Sequence, residues 1–248
     1  LESQGLQAYE ALAPIYEQHW GAAFLDDAIR LHNQFLASHL KEDAHVLDLC
    51  CGAGHFSAWL RTHGLRATGV DASRTLIALA RQRVPHGEFC VADMRNFRVP
   101  SMFDAAVCFY NSVNQVLTPG GLAETFASVR RHLRPGGWFL FDIVLEEGYA
   151  RSWHADEVIR LQAQTCELAY RYDHQVRLAT CRVTMRSAAG DLAPAIWEFC
   201  QRPHSPSLVM EQLHHSGFQF VQQYPVAAGN PPGSRVAIVS QLGVSAMP

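Results

Sequence analysis

Val46-Leu47-Asp48-Leu49-Cys50-Cys51-Gly52-Ala53-Gly54-His55-Phe56-Ser57 is the stretch on which the fold turns. The apolar run His45–Cys50 reads as a short strand, Cys51–Gly54 as a tight turn, and the residues beyond as the start of a helix. Glycines at 52 and 54 let the backbone take shapes closed to other residues and pass close to a ligand. In an open parallel sheet, ligands bind outside the carboxyl ends of the strands, where this turn falls. Asp48 stands just before the turn, where a carboxylate can meet an amino group. A pyrophosphate-binding turn would read G-x-G-x-x-G. Here Ser57 occupies the third glycine position, and an acid beside a pyrophosphate would be repulsive. The turn suits a cationic, amino-acid-like ligand better.

Outward from this turn, further strands are expected at Arg66–Asp71, Phe89–Asp93, Ala105–Asn111 and Trp138–Val144. Helices alternate with them. One has Ser73 near its start; another carries Leu122, Phe126, Val129 and Leu133 on one face and stops at Pro135-Gly136-Gly137. Alternation of this kind implies parallel pairing and a sheet covered on both faces. Upstream, Tyr9–Leu40 has helical periodicity, with Tyr9, Leu12, Ala13, Tyr16 and Trp20 on one face. After Val144 the rhythm breaks. Val158–Gln164, Leu168–His174, Leu178–Arg186 and Ala193–Cys200 read as strands without long helices between them, and their alternation suggests antiparallel pairing. Ser205-Pro206 opens a helix through His215, closed by Gly217. Phe218–Val226 and Val236–Leu242 follow, joined by a turn over 229–233 that contains Asn230-Pro231-Pro232. The expected fold is α/β: a doubly wound, Rossmann-like, mostly parallel seven-stranded sheet with N-terminal helices and a small antiparallel β insertion. The expected division is a helical cap over 1–42, a ligand-binding domain over 43–146 and 205–248, and a β-rich insertion over 147–204.

Composition narrows the function. Of 248 residues, 48% are hydrophobic and 17% charged, enough for a sizeable core and too few charges for disorder. A net charge of -3 gives no basic field for nucleic acid, although Arg130, Arg131 and Arg134 form a local cluster. Seven scattered cysteines without a C-x-x-C pair suggest neither zinc nor a redox motif. They fit a reducing cytoplasm. No signal stretch and no apolar run of membrane-spanning length stands out. His214 and His215 beside Glu211 form no H-E-x-x-H arrangement, so no zinc is expected.

Five segments together resemble, in order and at ordinary spacing across residues 43–145, the motifs of class I S-adenosylmethionine-dependent methyltransferases. Val46–Ser57 is similar to the first motif, Gly69-Val70-Asp71 to the second-strand motif and Val91-Ala92-Asp93-Met94 to the adenine segment. Phe103-Asp104-Ala105-Ala106-Val107 is similar to the entry of the fourth strand, and Leu133-Arg134-Pro135-Gly136-Gly137 to the turn before the fifth. The resemblance implies S-adenosyl-L-methionine as donor and S-adenosyl-L-homocysteine as product. It places Asp48, Cys50, Gly52 and Gly54 at the donor's turn, Asp71 and Ala72 at its ribose, and Ala92, Asp93 and Met94 at its adenine. Phe109 and Asn111, after the fourth strand, fall where the methyl group sits. The metal-dependent catechol-type enzymes want an acid there. Tyr110 and Asn111 stand in its place, so magnesium is not expected.

Within that class the look is of small-molecule enzymes such as glycine N-methyltransferase and the N,N-dimethyltransferases of antibiotic amino sugars. Tyr9–Glu17 resembles their N-terminal helix, which usually ends Tyr-Asp; here Glu17 replaces the acid while Tyr16 is kept. The β insertion resembles their substrate-covering subdomain. The implied partner is a small-molecule acceptor, methylated on N or O by in-line displacement. Trp20, Tyr110, Trp153, Tyr170 and Arg202 are the candidate acceptor contacts, and His154 and Tyr110 the candidate bases. Edge strands of the insertion are where two copies could pair into a homodimer. Rival readings are a donor-binding protein without transferase activity, a nicotinamide-dependent oxidoreductase on a related sheet, and RNA or protein methylation.

Overall fold

A computed structural model describes residues 2–162, 164–187, 193–226 and 234–244. The chain opens with α1 (Glu2–Ile15), a π-helical turn at Tyr16–Trp20, and α2 (Gly21–Phe35). Then come β1 (His45–Leu49), α3 (His55–Thr62), β2 (Arg66–Asp71), α4 (Arg74–Arg83), β3 (Glu88–Val91) and β4 (Phe103–Cys108). A 3₁₀ turn at Ser112–Gln115 leads to α5 (Pro119–His132), β5 (Leu133–Val144) and α6 (Glu146–Ser152). The remainder is β6 (Asp156–Arg160), β7 (Gln164–Asp173), β8 (Leu178–Ser187), β9 (Ala195–Gln201), α7 (Pro206–His215), β10 (Phe218–Pro225) and β11 (Arg235–Leu242).

The seven-stranded sheet has the order β10-β11-β5-β4-β1-β2-β3. β1 to β5 pair in parallel, while β11 runs antiparallel to β5 and β10 antiparallel to β11. The chain winds one way from β1 to β3 and the other from β4 to β5. The switch point therefore lies between the carboxyl ends of β1 and β4, where a crevice must open. All five residues of β1 are buried, as a strand covered on both faces requires. On one face Leu47, Phe103, Phe139 and Phe141 pack against Leu122 and Phe126 of α5 and Leu213 of α7. On the other, Val46, Val107 and Leu140 pack against Ala28 and Leu31 of α2 and Phe56 and Leu60 of α3.

A separate antiparallel sheet has the order β6-β7-β8-β9. Its inner face, through Cys166, Leu168, Cys181, Val183 and Phe199, buries the Ala8, Leu12 and Ile15 stripe of α1. The N-terminal helix is thus held by the small sheet on one side and by the large domain on the other. Among the described residues, no helix is long and apolar enough to cross a membrane.

Several boundaries differ from expectation. β4 stops at Cys108, not Asn111, because Tyr110 and Asn111 adopt left-handed backbone with φ of 62° and 49°. α5 stops at His132, and Pro135-Gly136-Gly137 lies inside β5. There the β4–β5 register slips, and Gly136 takes a φ of 78°, a bulge that only a permissive residue accommodates easily. β7 begins at Gln164, four residues before the expected start. α6 was not legible as a helix: it is seven residues long and hides Tyr149 completely. The expected turn over 229–233 lies outside the described residues.

Candidate functional site

The turn after β1 takes its shape from three left-handed residues, Cys50, Gly52 and Gly54, with φ of 58°, 54° and 75°. Gly54 is required twice over. Its φ favours glycine, and a Cβ there would stand 2.9 Å from the Cβ of Ala80 on α4. Arg83 Nε donates to the Ala53 carbonyl at 2.9 Å, a second tie from α4 to the turn.

Asp71 closes β2 at the rim of the crevice. Its Oδ2 accepts from the Gly52 N–H and its Oδ1 from the Ser73 N–H, both at 2.9 Å. Burial pushes its carboxyl above the usual range, and these backbone donors oppose that push. Asp93 is the opposite case. Burial raises it, but Arg95 through its N–H, Nε and Nη2 outweighs burial and holds it below the usual range.

Asp48 is buried beneath the turn and accepts the Ser57 hydroxyl at 2.6 Å. Burial, reinforced by the negative charge of Asp71, pushes its carboxyl up to about 7, against the Ser57 bond. The unfolded value lies near 3.8. Between those pH values the folded chain holds a proton that the unfolded chain has lost, so stability falls as pH rises from about 4 to about 7 and stays lower above. The contribution is about 4 kcal/mol at most. Urea unfolding of wild type and Asp48→Asn across pH 5–8 should show this slope flattened in the variant.

Three connected spaces open at the switch point. The largest, about 430 Å³, is walled by Gly52, Asp71, Ala72, Asp93 and Met94, with Cys50 and Tyr16 at its inner end. A small one, about 30 Å³, lies against Asp48, Phe109 and Tyr110. The third, about 380 Å³, opens outward between the π-helical turn and the small sheet, along Trp20, Tyr110, Asn111, Trp153 and Tyr170. Tyr16 borders all three. Phe24 stacks on Tyr110 with ring centroids 4.4 Å apart and lies 5.5 Å from Tyr16, and these rings border both the small space and the outer one, while Tyr9, Tyr16 and Phe199 border both the largest and the outer one.

Most of the residues singled out from the sequence converge here, with exceptions. Gly54 and Ala92 line none of the spaces: Gly54 works through packing, and Ala92 N–H bonds the Asp71 carbonyl at 3.0 Å. Asn111 faces the outer space rather than the inner ones. Arg202 is turned away, its Nη1 donating to the Val176 carbonyl at 2.8 Å and so bracing the β7–β8 turn. His154 is exposed and borders none of the three spaces. Tyr110 is a poor base. Burial, with Asp142 nearby, pushes its phenol well above the usual range, so it stays protonated.

Other residues were missed. Gln201 at the end of β9 accepts from Asn111 Nδ2 and Tyr149 Oη, both at 2.8 Å, and nothing in its strand marked it. Asp142 did carry a signal, as a lone charge inside the apolar run Trp138–Val144. Its Oδ2 receives Arg235 Nε and the Asn111 N–H, both at 2.8 Å, which fixes the strained Tyr110–Asn111 turn. Glu17, in place of the expected aspartate, reaches His55 Nε2 at 2.9 Å and pairs with Arg83. Glu10 accepts the Arg74 and Thr75 N–H groups at 2.6 and 3.1 Å and so caps α4 from α1.

The fold is shared with solved S-adenosylmethionine-dependent methyltransferases, among them one from Clostridium acetobutylicum that superposes with a TM-score of 0.73 at 19% identity over 95% of this chain and 99% of that one, and residues 46–137 match the family described as a methyltransferase domain. Among curated proteins the chain is similar to YqeM of Bacillus subtilis, 33% identical over 139 residues, 54% of this chain and 55% of that protein. It is also similar to dTDP-3-amino-3,4,6-trideoxy-alpha-D-glucopyranose N,N-dimethyltransferase of Streptomyces venezuelae, 32% identical over 148 residues, 56% of this chain and 58% of that enzyme. The chain spans little more than half the length of both. A solved sugar N-methyltransferase from Streptoalloteichus superposes with a TM-score of 0.76 at 20% identity, covering 93% of this chain and 92% of that one, and so shares the fold.

Proposed function

We propose that this chain moves a methyl group from S-adenosylmethionine to nitrogen or oxygen of a small molecule. The observation that carries the reading is Asp71: a carboxylate pinned by two backbone N–H groups at the rim of a 430 Å³ space, beside the left-handed turn 50–54. The space suits a nucleoside joined to an amino acid. Asp71 would receive the ribose hydroxyls, Asp93 and Met94 would flank the adenine, and the Cys50–Gly52 backbone with Asp48 would face the amino-acid end. Ser57 in the third glycine position and Asp48 beneath the turn disfavour a dinucleotide's pyrophosphate, whereas Asp71 would suit the ribose of either ligand. When bound, the donor supplies a methyl group on a positively charged sulfur. Tyr16, Phe24 and Tyr110 keep water from the border between the spaces and offer ring faces that tolerate positive charge. The chain's own contribution is to hold the acceptor against that border, an advantage of roughly 7–11 kcal/mol in well-oriented systems. A neutral amine acceptor needs no base, whereas a hydroxyl acceptor would have to give its proton to a group other than His154 or Tyr110.

Titration calorimetry tests this. S-adenosylhomocysteine should bind at micromolar concentration and NADH should give no heat. Binding of NADH, or silence from S-adenosylhomocysteine at 1 mM, would overturn the reading. Release of labelled methyl to a panel of amines and hydroxyl compounds then separates transfer from donor binding alone.

A further inference from the structure

The outer cavity of about 380 Å³ has a chemical character of its own. Half of its sixteen lining residues are aromatic, Trp20, Trp153 and Tyr170 among them. Glu157 on β6 is its carboxylate, and no lysine, arginine or histidine lines it among the described residues. The Glu157 oxygens are loosely engaged: Tyr170 Oη lies 3.4 Å from one and His19 Nε2 3.5 Å from the other, both longer than good charge-assisted bonds. Trp153 and Tyr170 meet edge to face with centroids 5.1 Å apart, which fixes their ring faces beside this carboxylate. Ring faces carry negative potential and attract organic cations. A carboxylate among such rings repels anions and, in partly apolar surroundings, attracts a cation more strongly than it would in water.

We propose that this cavity admits an acceptor bearing an organic cationic group, with Glu157 holding that positive charge and the rings of Trp20, Trp153 and Tyr170 around it, while the atom that is methylated belongs to a separate, neutral group. An acceptor that is anionic at the end entering the cavity is rejected. The inference rests on the methyl-transfer reading for its purpose and concerns only the charge that the cavity selects.

The test uses three molecules of one shape at pH 8: choline, its neutral carbon analogue 3,3-dimethylbutanol, and the anion 3,3-dimethylbutanoate. Each is titrated into the full chain with and without saturating S-adenosylhomocysteine, read by calorimetry and by quenching of tryptophan fluorescence. Choline should bind at least tenfold more tightly than the alcohol, and the anion should not bind. Glu157→Gln should erase most of that preference and Glu157→Asp should keep part of it, both with unchanged S-adenosylhomocysteine affinity as the check on folding. Equal affinity for choline and the alcohol, tighter binding of the anion, no binding of choline at 50 mM, or a preference untouched in Glu157→Gln would each overturn the proposal. Failure of S-adenosylhomocysteine to bind while choline is still preferred would instead strike the methyl-transfer reading.

Discussion

Asp71→Ala is expected to weaken S-adenosylhomocysteine binding at least a hundredfold, the largest functional effect of any single change in the chain. The carboxylate does two things at once. It fixes the Gly52 and Ser73 N–H groups, which shape the turn, and on the proposed reading it would present a carboxylate to the ribose hydroxyls. Hydrogen bonds to a charged group contribute about 1.5–3 kcal/mol each. Loss of two ribose bonds alone therefore predicts roughly a hundredfold to ten-thousandfold weakening. Asp71→Asn keeps the shape and one accepting oxygen, so a loss of about tenfold to a hundredfold is expected there. Calorimetry reads both, with thermal unfolding as the control. An Asp71→Ala chain that stays folded and binds within threefold of wild type would remove Asp71 from the site.

Asp142→Ala should cost more stability than any other single charge removal, about 3–5 kcal/mol. Asp142 is fully buried and Arg235 nearly so, joined at 2.8 Å, and Arg235 Nη1 reaches on to Asp27 of α2 at 3.1 Å. Removal of the carboxylate strands a guanidinium in the core and frees the Asn111 N–H. In a chain of this length each kcal/mol moves the melting temperature by about 2–4 °C, so a drop on the order of 10 °C is expected. The double replacement Asp142→Leu with Arg235→Met should recover most of it, because matched apolar side chains avoid the desolvation that the pair must overcome. Urea denaturation of the two single variants and the double measures the recovery. Additive losses in the double variant would show that the cost is packing rather than charge.

The middle of the large sheet was legible because β1, β4, β5 and β11 are buried for most of their length, and buried runs announce themselves as nearly unbroken apolar segments. Asp48, Gly52, Gly54 and Asp71 were legible because a turn of this shape tolerates few residue types, as the clash that any Cβ at Gly54 would meet shows. The outer wall was harder to read. β6 to β9 are half-exposed, so their alternation gives faces but not what each face meets. Trp153 and Tyr170 could be named from chemistry alone, while Glu157 and Gln201 depend on where a strand ends relative to α1. The same local sequence with another register would send them elsewhere. Arg202 and His154 looked apt by type but border none of the three spaces. α6 escaped because two turns of helix carry too little periodicity to register.

The spaces at the switch point are divided unequally between the two sheets. The largest space is lined by Asp71 and Asp93 but also by Tyr9 of α1 and by Phe199 and Cys200 of β9, whereas Trp153, Glu157, Leu168 and Tyr170 border the outer chamber alone. On the proposed reading, substitutions at Trp153, Glu157, Leu168 and Tyr170 would therefore retune which acceptor is welcomed while leaving the donor's seat as it was, and specificity could drift without loss of the methyl-transfer chemistry. Tyr16 is the hinge of that freedom. As a party wall to every room, it cannot be remodelled for one tenant without disturbing the next.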